Sequence, residues 1–433
     1  MDPITIAGLG IAAMFALILL QVPIGIAMAV IGVIGYGIIS GFAPALTLLA
    51  TESSSVMANV DLVVIPLFLL MGNFATEAGI SKDIYNLAYS FFGHYRGGLA
   101  MATVGGCGFF GAICGSSTAT AATFGRVALP EMLSRKYAPH FATGCIAAGG
   151  TLGSLVPPSV ILVIYAVAAE EFIIDLFIAA IIPSILSILA YLVAISIYVR
   201  MRPGAGPAGP RMNWPDRLKV TVRCWGAILI MVVVVGGIYG GVFTVTEAAS
   251  FGAILAFAFA IGRRKMTLEK FWEALTRSAV TTAMIYIIII GANVITYFIA
   301  LTHMPDVVVK GLSNLNMSTF MVLFLLLLIY LILGSIFDTV SAMLITLPFV
   351  LPLITNLGYS PVWWGIINVV VIEIGMITPP IGLNVFVIKG VAKDIPLNTI
   401  FRGILPFLYA DIVRLTILVI FPPLITWLPS IMK

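Results

Sequence analysis

Residues 137–159 read YAPHFATGCIAAGGTLGSLVPPS, and residues 359–381 read YSPVWWGIINVVVIEIGMITPPI, the same pattern displaced by 222 positions. At that displacement Pro130 falls on Pro352, Pro139 on Pro361, Gly153 on Gly375, Pro157 on Pro379 and Pro158 on Pro380. Each copy is an apolar run of helical length that ends in a proline pair. Proline removes a backbone donor and clashes with the preceding turn, so neither run continues as one unbroken helix. Inside hydrocarbon the freed carbonyls need another partner or a polar cavity to line.

Upstream of each copy lies a Gly/Ser/Thr-rich weak point, GAICGSSTATAA at 111–122 and LGSIFDTVSA at 333–342. The apolar limbs on either side of each are expected to be too short to cross, so each pair reads as a hairpin that enters partway and leaves on the same side. The unit of hairpin followed by broken helix is therefore used twice.

Composition makes the bilayer the solvent. The set AVILMFWYC supplies 61% of the 433 residues, Gly adds 41 more, and charged residues reach only 9%, against about 25% in soluble domains. Spans are expected near 4–20, 24–40, 62–78, 97–132 as two limbs, 140–170, 174–198, 222–240, 245–262, 278–300, 318–353 as two limbs, 361–390, and 397–428 with a break at Pro406. The stretch 44–59 reads as interfacial and 79–95 as an amphipathic connector. The first apolar segment lacks a basic leader and is followed at once by a second, so it reads as a retained span.

Other chemistries find little support. Cys107, Cys114, Cys145 and Cys224 form no CxxC pair, and His94, His140 and His303 stand singly, so neither redox nor zinc chemistry is indicated. No GxxxxGK[ST] run is present, so transport energy must come from an ion gradient or a partner. No convergent His or paired-carboxylate set suggests an enzyme, and no nucleic-acid partner is expected.

Charge bias sets the topology. The loop from Arg200 to Arg223 carries Arg200, Arg202, Arg211, Arg217, Lys219 and Arg223 around GPAGP, and should be cytoplasmic. Two spans later, Arg263, Arg264, Lys265 and Lys270 return to the same side. Counting outward puts Arg135, Lys136, Lys389 and Lys393 inside, and Glu170, Glu171, Asp175, Thr244 and the 301–317 loop outside. The first hairpin, flanked by Arg96, Arg135 and Lys136, opens inward. The second, flanked by Asn314, Asn316 and Asn356, opens outward. One unit has been used twice in opposite orientation, the arrangement by which a secondary transporter exposes one central site to either side in turn. The fold class is thus an all-α polytopic membrane protein with inverted repeats, two re-entrant hairpins and two discontinuous helices.

Broken helices present free N–H groups, carbonyls and dipole ends, which suit a small cation and an anionic group. In the first unit Ser116, Ser117, Thr118 and Thr120 face Gly150, Thr151, Gly153, Val156 and Pro157. In the second, Asp338 and Thr339 face Gly375, Thr378 and Pro379. Hard oxygen ligands favour Na⁺ over a transition metal. Of the few charges inside the spans, Asp338 either contacts a cation or caps the helix that follows. Glu373 is either a proton or cation group or a packed partner of one, and Arg126 meets either a substrate carboxylate or the phospholipid surface.

At these residues the chain resembles the large membrane subunit of the tripartite ATP-independent periplasmic (TRAP) transporters. The resemblance rests on IPLFLLMG at 65–72, GAICGSSTATAATFG at 111–125, AAGGTLGSLVPPS at 147–159, GVFTVTEAA at 241–249 and IGMITPPIGLNVFV at 374–387. It implies an elevator-type, Na⁺-driven importer in the inner membrane of a bacterium or archaeon, with two or more Na⁺ ions. Its partners would be the lipid bilayer, a small four-helix membrane subunit as a separate chain, and a periplasmic substrate-binding protein delivering an organic anion. By the resemblance, Ser116, Ser117 and Thr118 with Gly150, Thr151, Gly153, Val156 and Pro157 carry one Na⁺. Asp338 and Thr339 with Gly375, Thr378 and Pro379 carry another, and the substrate carboxylate rests between hairpin tips at Ser116, Ser117, Thr118, Thr120, Asp338 and Thr339. Scaffold would occupy 1–96 and 222–317, the repeats 97–198 and 318–391, the basic loop 199–221 and a final membrane segment 392–433. Val245 departs from the proline usual there. A stand-alone Na⁺-coupled carboxylate carrier of the same architecture is the alternative.

Overall fold

The computed structural model describes residues 2–305, 307 and 317–432, and in them the chain is helical with no strand. Among the described residues, seven helices are long and apolar enough to cross a bilayer by length and composition, or nine with each of two bent pairs taken as one span. The two opening helices, Pro3–Leu19 and Ile24–Ser40, are each 17 residues, or about 26 Å, at the short end of what hydrocarbon requires. A glycine turn at Gly41, with φ of 99°, leads into Phe42–Ala58, the stretch read as interfacial. Helix Ile80–Phe92 buries Ile80, Ser81, Ile84 and Tyr85 along one face, as an amphipathic connector does.

The first unit consists of Gly98–Cys114, a two-residue turn, Ser117–Ser134, Pro139–Leu155 and Val160–Ala168. The second consists of Thr319–Ile336, Thr339–Asn356, Pro361–Gly375 and Leu383–Val391. Displaced by 222 positions, the helix Ser117–Ser134 falls on Thr339–Asn356 end for end, and the N-cap Ser116 falls on the N-cap Asp338. The first broken helix bends by 44° at its proline pair, and both Pro-Pro bonds are cis. In the second, seven residues from Met376 to Gly382 separate the helical limbs.

Two expectations change. The second hairpin's limbs are 18 residues each and apolar enough to cross by length, because Pro348 and Pro352 sit inside Thr339–Asn356 without interrupting it. Limb length therefore does not separate a hairpin from two spans here. Nor does the helix break at Pro406, which lies within the continuous Leu397–Ile420. Membrane helices tolerate an internal proline where neighbours support the freed backbone, and adjacent Gly403 packs directly on the backbone of His140 and Gly144. The break comes at Phe421, ahead of Pro422 and Pro423, where proline disfavours helical geometry in the preceding residue.

Charge is sorted between two ends. The 202–213 loop is tied to the mouth of the first hairpin: Gly97 N donates to Gly206 O (2.9 Å), Ala138 N to Ala205 O (3.0 Å) and Gly209 N to Gly93 O (2.9 Å). Nearby, the amphipathic helix Trp214–Arg223 buries Arg217 against the rings of Phe91 and Trp214. Arg263 bonds to Asp83 and to the carbonyls of Ala78 and Arg223, and Lys270 pairs with Glu77 at 3.1 Å. At the other end Asn59, Asp61, Glu170, Glu171 and Thr244 line one shallow hollow. Tyr165 there donates to Pro361 O at 2.7 Å, so the second broken helix begins beside the end of the first. Asn314 and Asn316 lie outside the described residues.

Long helices cross closely at small residues. A Cβ on Gly291 would lie 2.2 Å from Gly25 O, which presses Ile24–Ser40 onto Leu268–Leu301. At the acidic end Thr244 accepts from Glu247 N (3.2 Å) while Glu247 accepts from Thr244 N (2.9 Å), a reciprocal cap for Val245–Gly262. Val245 is the first residue of that helix, a position where proline and other residues are both accommodated.

Candidate functional site

Each hairpin turn is seated on its own proline break. In the first, Gly115 takes φ of 66° and Ser116 caps the next helix, its hydroxyl 3.5 Å from Ala119 N and 3.4 Å from Thr118 Oγ1. Ser117 N donates to Ser154 Oγ (3.1 Å), and Ser159 Oγ donates to Ser154 O (2.5 Å). In the second, Asp338 is the cap: its Oδ1 accepts from Val340 N (3.1 Å) and Ser341 N (3.2 Å). Gly382 N then reaches back to Ser335 O at 3.0 Å. The capping role read as one option for Asp338 is the geometry found.

Gly153 and Gly375 permit this closeness. A Cβ on Gly153 would stand 2.5 Å from Thr120 Oγ1 and 2.6 Å from Ser116 O, and one on Gly375 would stand 2.6 Å from Gly334 C and 2.7 Å from Leu331 O. Gly150 backs onto Ala121 and Ser117 O in the same way. Thr120 is fully buried, with the Cys114 thiol beside its hydroxyl. Thr120 Oγ1 and Ser116 O, the latter also accepting from Thr120 N at 3.1 Å, converge on a spot that only a glycine leaves open.

The two units meet at Met376. Its Sδ lies 3.6 Å from Ser117 Oγ of the first turn and 2.9 Å from Thr339 Oγ1 of the second. Thr339 also donates to Glu373 Oε1 at 2.8 Å. Glu373 is buried with the Ser117 and Ser154 hydroxyls beside it. An ionisable oxygen thus stands at the junction of both tips.

The other expected residues have different partners. The Thr151 hydroxyl lies 2.6 Å from Ala148 O and 3.1 Å from Tyr191 Oη, to which it donates when Tyr191 donates to Asp411. Thr378 Oγ1 is taken by Ile374 O at 2.7 Å. Val156 is the C-cap of the first limb and Pro157 is buried in the break, whereas Pro379 is exposed. Arg126 is exposed.

A second buried charge cluster was missed in the sequence. Asp411 and Arg414 lie one turn apart on Leu397–Ile420, almost fully buried and paired at 2.8 Å. Tyr191 donates to Asp411 Oδ2 at 2.9 Å, and Arg414 bonds Ser187. Tyr191 connects this pair to Thr151 in the first broken helix. An Asp and an Arg three apart in a 24-residue apolar helix was the available signal, since buried charges persist where they are paired.

With this geometry in place, comparison with known proteins is decisive. Residues 11–424 match the family described as "Tripartite ATP-independent periplasmic transporter, DctM component". The chain belongs to that family. A C4-dicarboxylate TRAP transporter large permease protein of Pseudomonas aeruginosa is 35% identical over 402 residues, covering 90% of this chain and 92% of its own. A sialic acid TRAP transporter large permease protein of Vibrio cholerae is 32% identical, covering 86% and 87%. The solved Alcanivorax borkumensis YdaH transporter superposes with a TM-score of 0.62 over 90% of this chain and 89% of its own at 16% identity, which shows a shared fold. This TRAP large permease subunit is therefore a multi-pass transporter of the bacterial inner membrane and not an enzyme.

Proposed function

We propose that this TRAP subunit imports an organic anion, coupled to Na⁺, from a periplasmic substrate-binding protein and together with a small four-helix membrane subunit on a separate chain. The observation that carries the reading is the junction at Met376, where both hydroxyl-bearing turns and both proline breaks converge. Two relatives are named for the transport of anions, a C4-dicarboxylate and sialic acid, and a carboxylate or sugar acid is the substrate class that follows.

The inverted reading is supported by the ends at which the breaks begin. The first broken helix starts where Ala138 meets the basic loop, and the second where Pro361 meets Tyr165 beside the acidic hollow. The elevator would carry 97–198 and 318–391 against scaffold at 1–96 and 222–317, with 199–221 as the cytoplasmic loop and 392–433 as the last membrane segment. Na⁺ fits the residues present, because the donors are hydroxyls and carbonyls. In the first cradle Ser116, Ser117, Thr118 and Thr120 would bind it with Gly150, Gly153, Val156 and Pro157, with Thr151 supporting from behind. In the second, Asp338 and Thr339 would do so with Gly375, Thr378 and Pro379. The substrate carboxylate would lie between the two tips.

The test is uptake into proteoliposomes holding this chain and its small subunit under an inward Na⁺ gradient. Little uptake is expected until liganded binding protein is added, after which the rate saturates with that protein's concentration. Rapid uptake of free substrate without it would favour a stand-alone Na⁺/carboxylate symporter instead.

A further inference from the structure

One sizeable cavity lies away from the hairpin tips. A half-open groove of about 940 Å³ runs between Ile173–Met201 and Leu397–Ile420, near the upper end of typical small-molecule pockets, about 300–1,000 Å³. Ala190, Ala194, Pro406 and Ala410 are among its lining residues, and Arg202 and Arg402 also line it. Both arginines are exposed, and among the described residues neither pairs with a carboxylate. Arg202 lies 5.8 Å over the Tyr198 ring, whose hydroxyl is 2.8 Å from His140 Nε2.

The place and length of the groove decide what fits it. The cationic end adjoins His140 and the 202–213 loop, hence the basic end of the molecule, the side that Lys/Arg bias assigns to the cytoplasm. From Arg202 to Ala190 the helix rises about 18 Å, slightly more than half of the roughly 30 Å hydrocarbon thickness. A slot one leaflet deep, apolar along its length and doubly cationic at the headgroup level, matches a lipid with a phosphate. Basic pockets between membrane helices on the cytoplasmic side take anionic headgroups.

We propose that this groove holds one anionic phospholipid of the leaflet at the basic end, its phosphate between Arg202 and Arg402 and an acyl chain along Ala194 and Ala190. The floor of the slot is the other face of the helices that carry Tyr191 and Asp411, so the bound lipid packs behind the network reaching Thr151. A lipid there would stiffen the pair of helices that buttress the first break.

Native mass spectrometry of the full chain with its small subunit tests this. After exchange into phosphatidylcholine nanodiscs containing a minor share of phosphatidylglycerol, one phosphatidylglycerol is expected to be retained per chain. Arg202→Gln with Arg402→Gln should cut retention at least tenfold. Ala194→Phe, which fills the gutter and leaves the headgroup contacts intact, should do the same with an unchanged melting temperature. Equal retention of phosphatidylcholine, undiminished retention in the double variant, or undiminished retention in Ala194→Phe would each overturn the proposal. So would efficient disulfide crosslinking of Ala194→Cys to the small subunit, which would make a protein helix the occupant.

Discussion

The two broken-helix units share a backbone plan and differ in where they place charge. The first turn is capped by neutral Ser116 and leans on Ser154; the second is capped by Asp338 and leans on Met376 at the position matching Ser154. Position 151 of the first corresponds to 373 of the second. Thr151 there reaches a buried carboxylate, Asp411, through Tyr191, whereas Glu373 supplies its own carboxylate to Thr339. The repeat therefore conserves glycine and proline, which backbone geometry demands, and lets side-chain electrostatics diverge. Two cradles of equal shape need not hold an ion equally tightly.

The shared plan is broken most severely at its glycines. Gly153→Val and Gly375→Val should each lower uptake by about 100-fold in inserted protein, since displacement of reacting or binding groups by about 1 Å carries costs of that order. Gly105→Val, with nothing within 4 Å of its Cβ, should transport normally; similar uptake from Gly153→Val would show that the close approach is dispensable.

The buried pair behind the first unit comes next. Arg414→Met should destabilise by about 3–5 kcal/mol by leaving Asp411 buried and unpaired, while Asp411→Leu with Arg414→Met should recover much of the loss. Thermal unfolding followed by size-exclusion fluorescence measures both, and no recovery in the double variant would mean that the network matters for more than charge balance.

Ion coupling should expose the asymmetry between cradles. Thr339→Ala, which also strips Glu373 of a donor, should raise the Na⁺ needed for half-maximal uptake by about tenfold, equivalent to about 1.4 kcal/mol. Ser117→Ala should raise it less, and Thr378→Ala least, because the Thr378 hydroxyl bonds Ile374 O of its own helix and not the other unit. Identical shifts for all three would argue for equivalent cradles. The smallest effect is expected at Val245→Pro, within about 0.5 kcal/mol; a larger loss of stability would mean that the reciprocal cap at Thr244 and Glu247 depends on a donor at residue 245.

Sidedness can be sharpened by labelling. Cysteine at Thr244 should react with an impermeant reagent added outside sealed cells, and cysteine at Arg211 should not. Labelling of residue 211 would reverse both hairpin mouths at once.

Membrane class, the doubled unit and both breaks were legible in the sequence, because composition, proline pairs and a constant offset are local, one-dimensional signals. So were Ser117 and Thr339 as neighbours of the breaks. Limb length in the second hairpin and the course of the chain past Pro406 were not, since packing decides whether a membrane helix tolerates proline. Side-chain partners were hidden as well: Thr151 and Thr378 have the right chemistry at the right place in sequence, yet the Thr151 hydroxyl lies beside Tyr191 Oη and that of Thr378 bonds Ile374 O.

By itself, then, the sequence determined that the chain lives in a bilayer, repeats one broken-helix unit and interrupts it with prolines, because each of these follows from composition and backbone covalent chemistry. Only the tertiary structure decided that Met376 joins the two turns, that Glu373 stands at their junction and that Tyr191 meets Asp411. Those contacts join residues up to 259 positions apart, and no periodicity along a chain encodes which side chains three-dimensional packing will bring within a few ångströms.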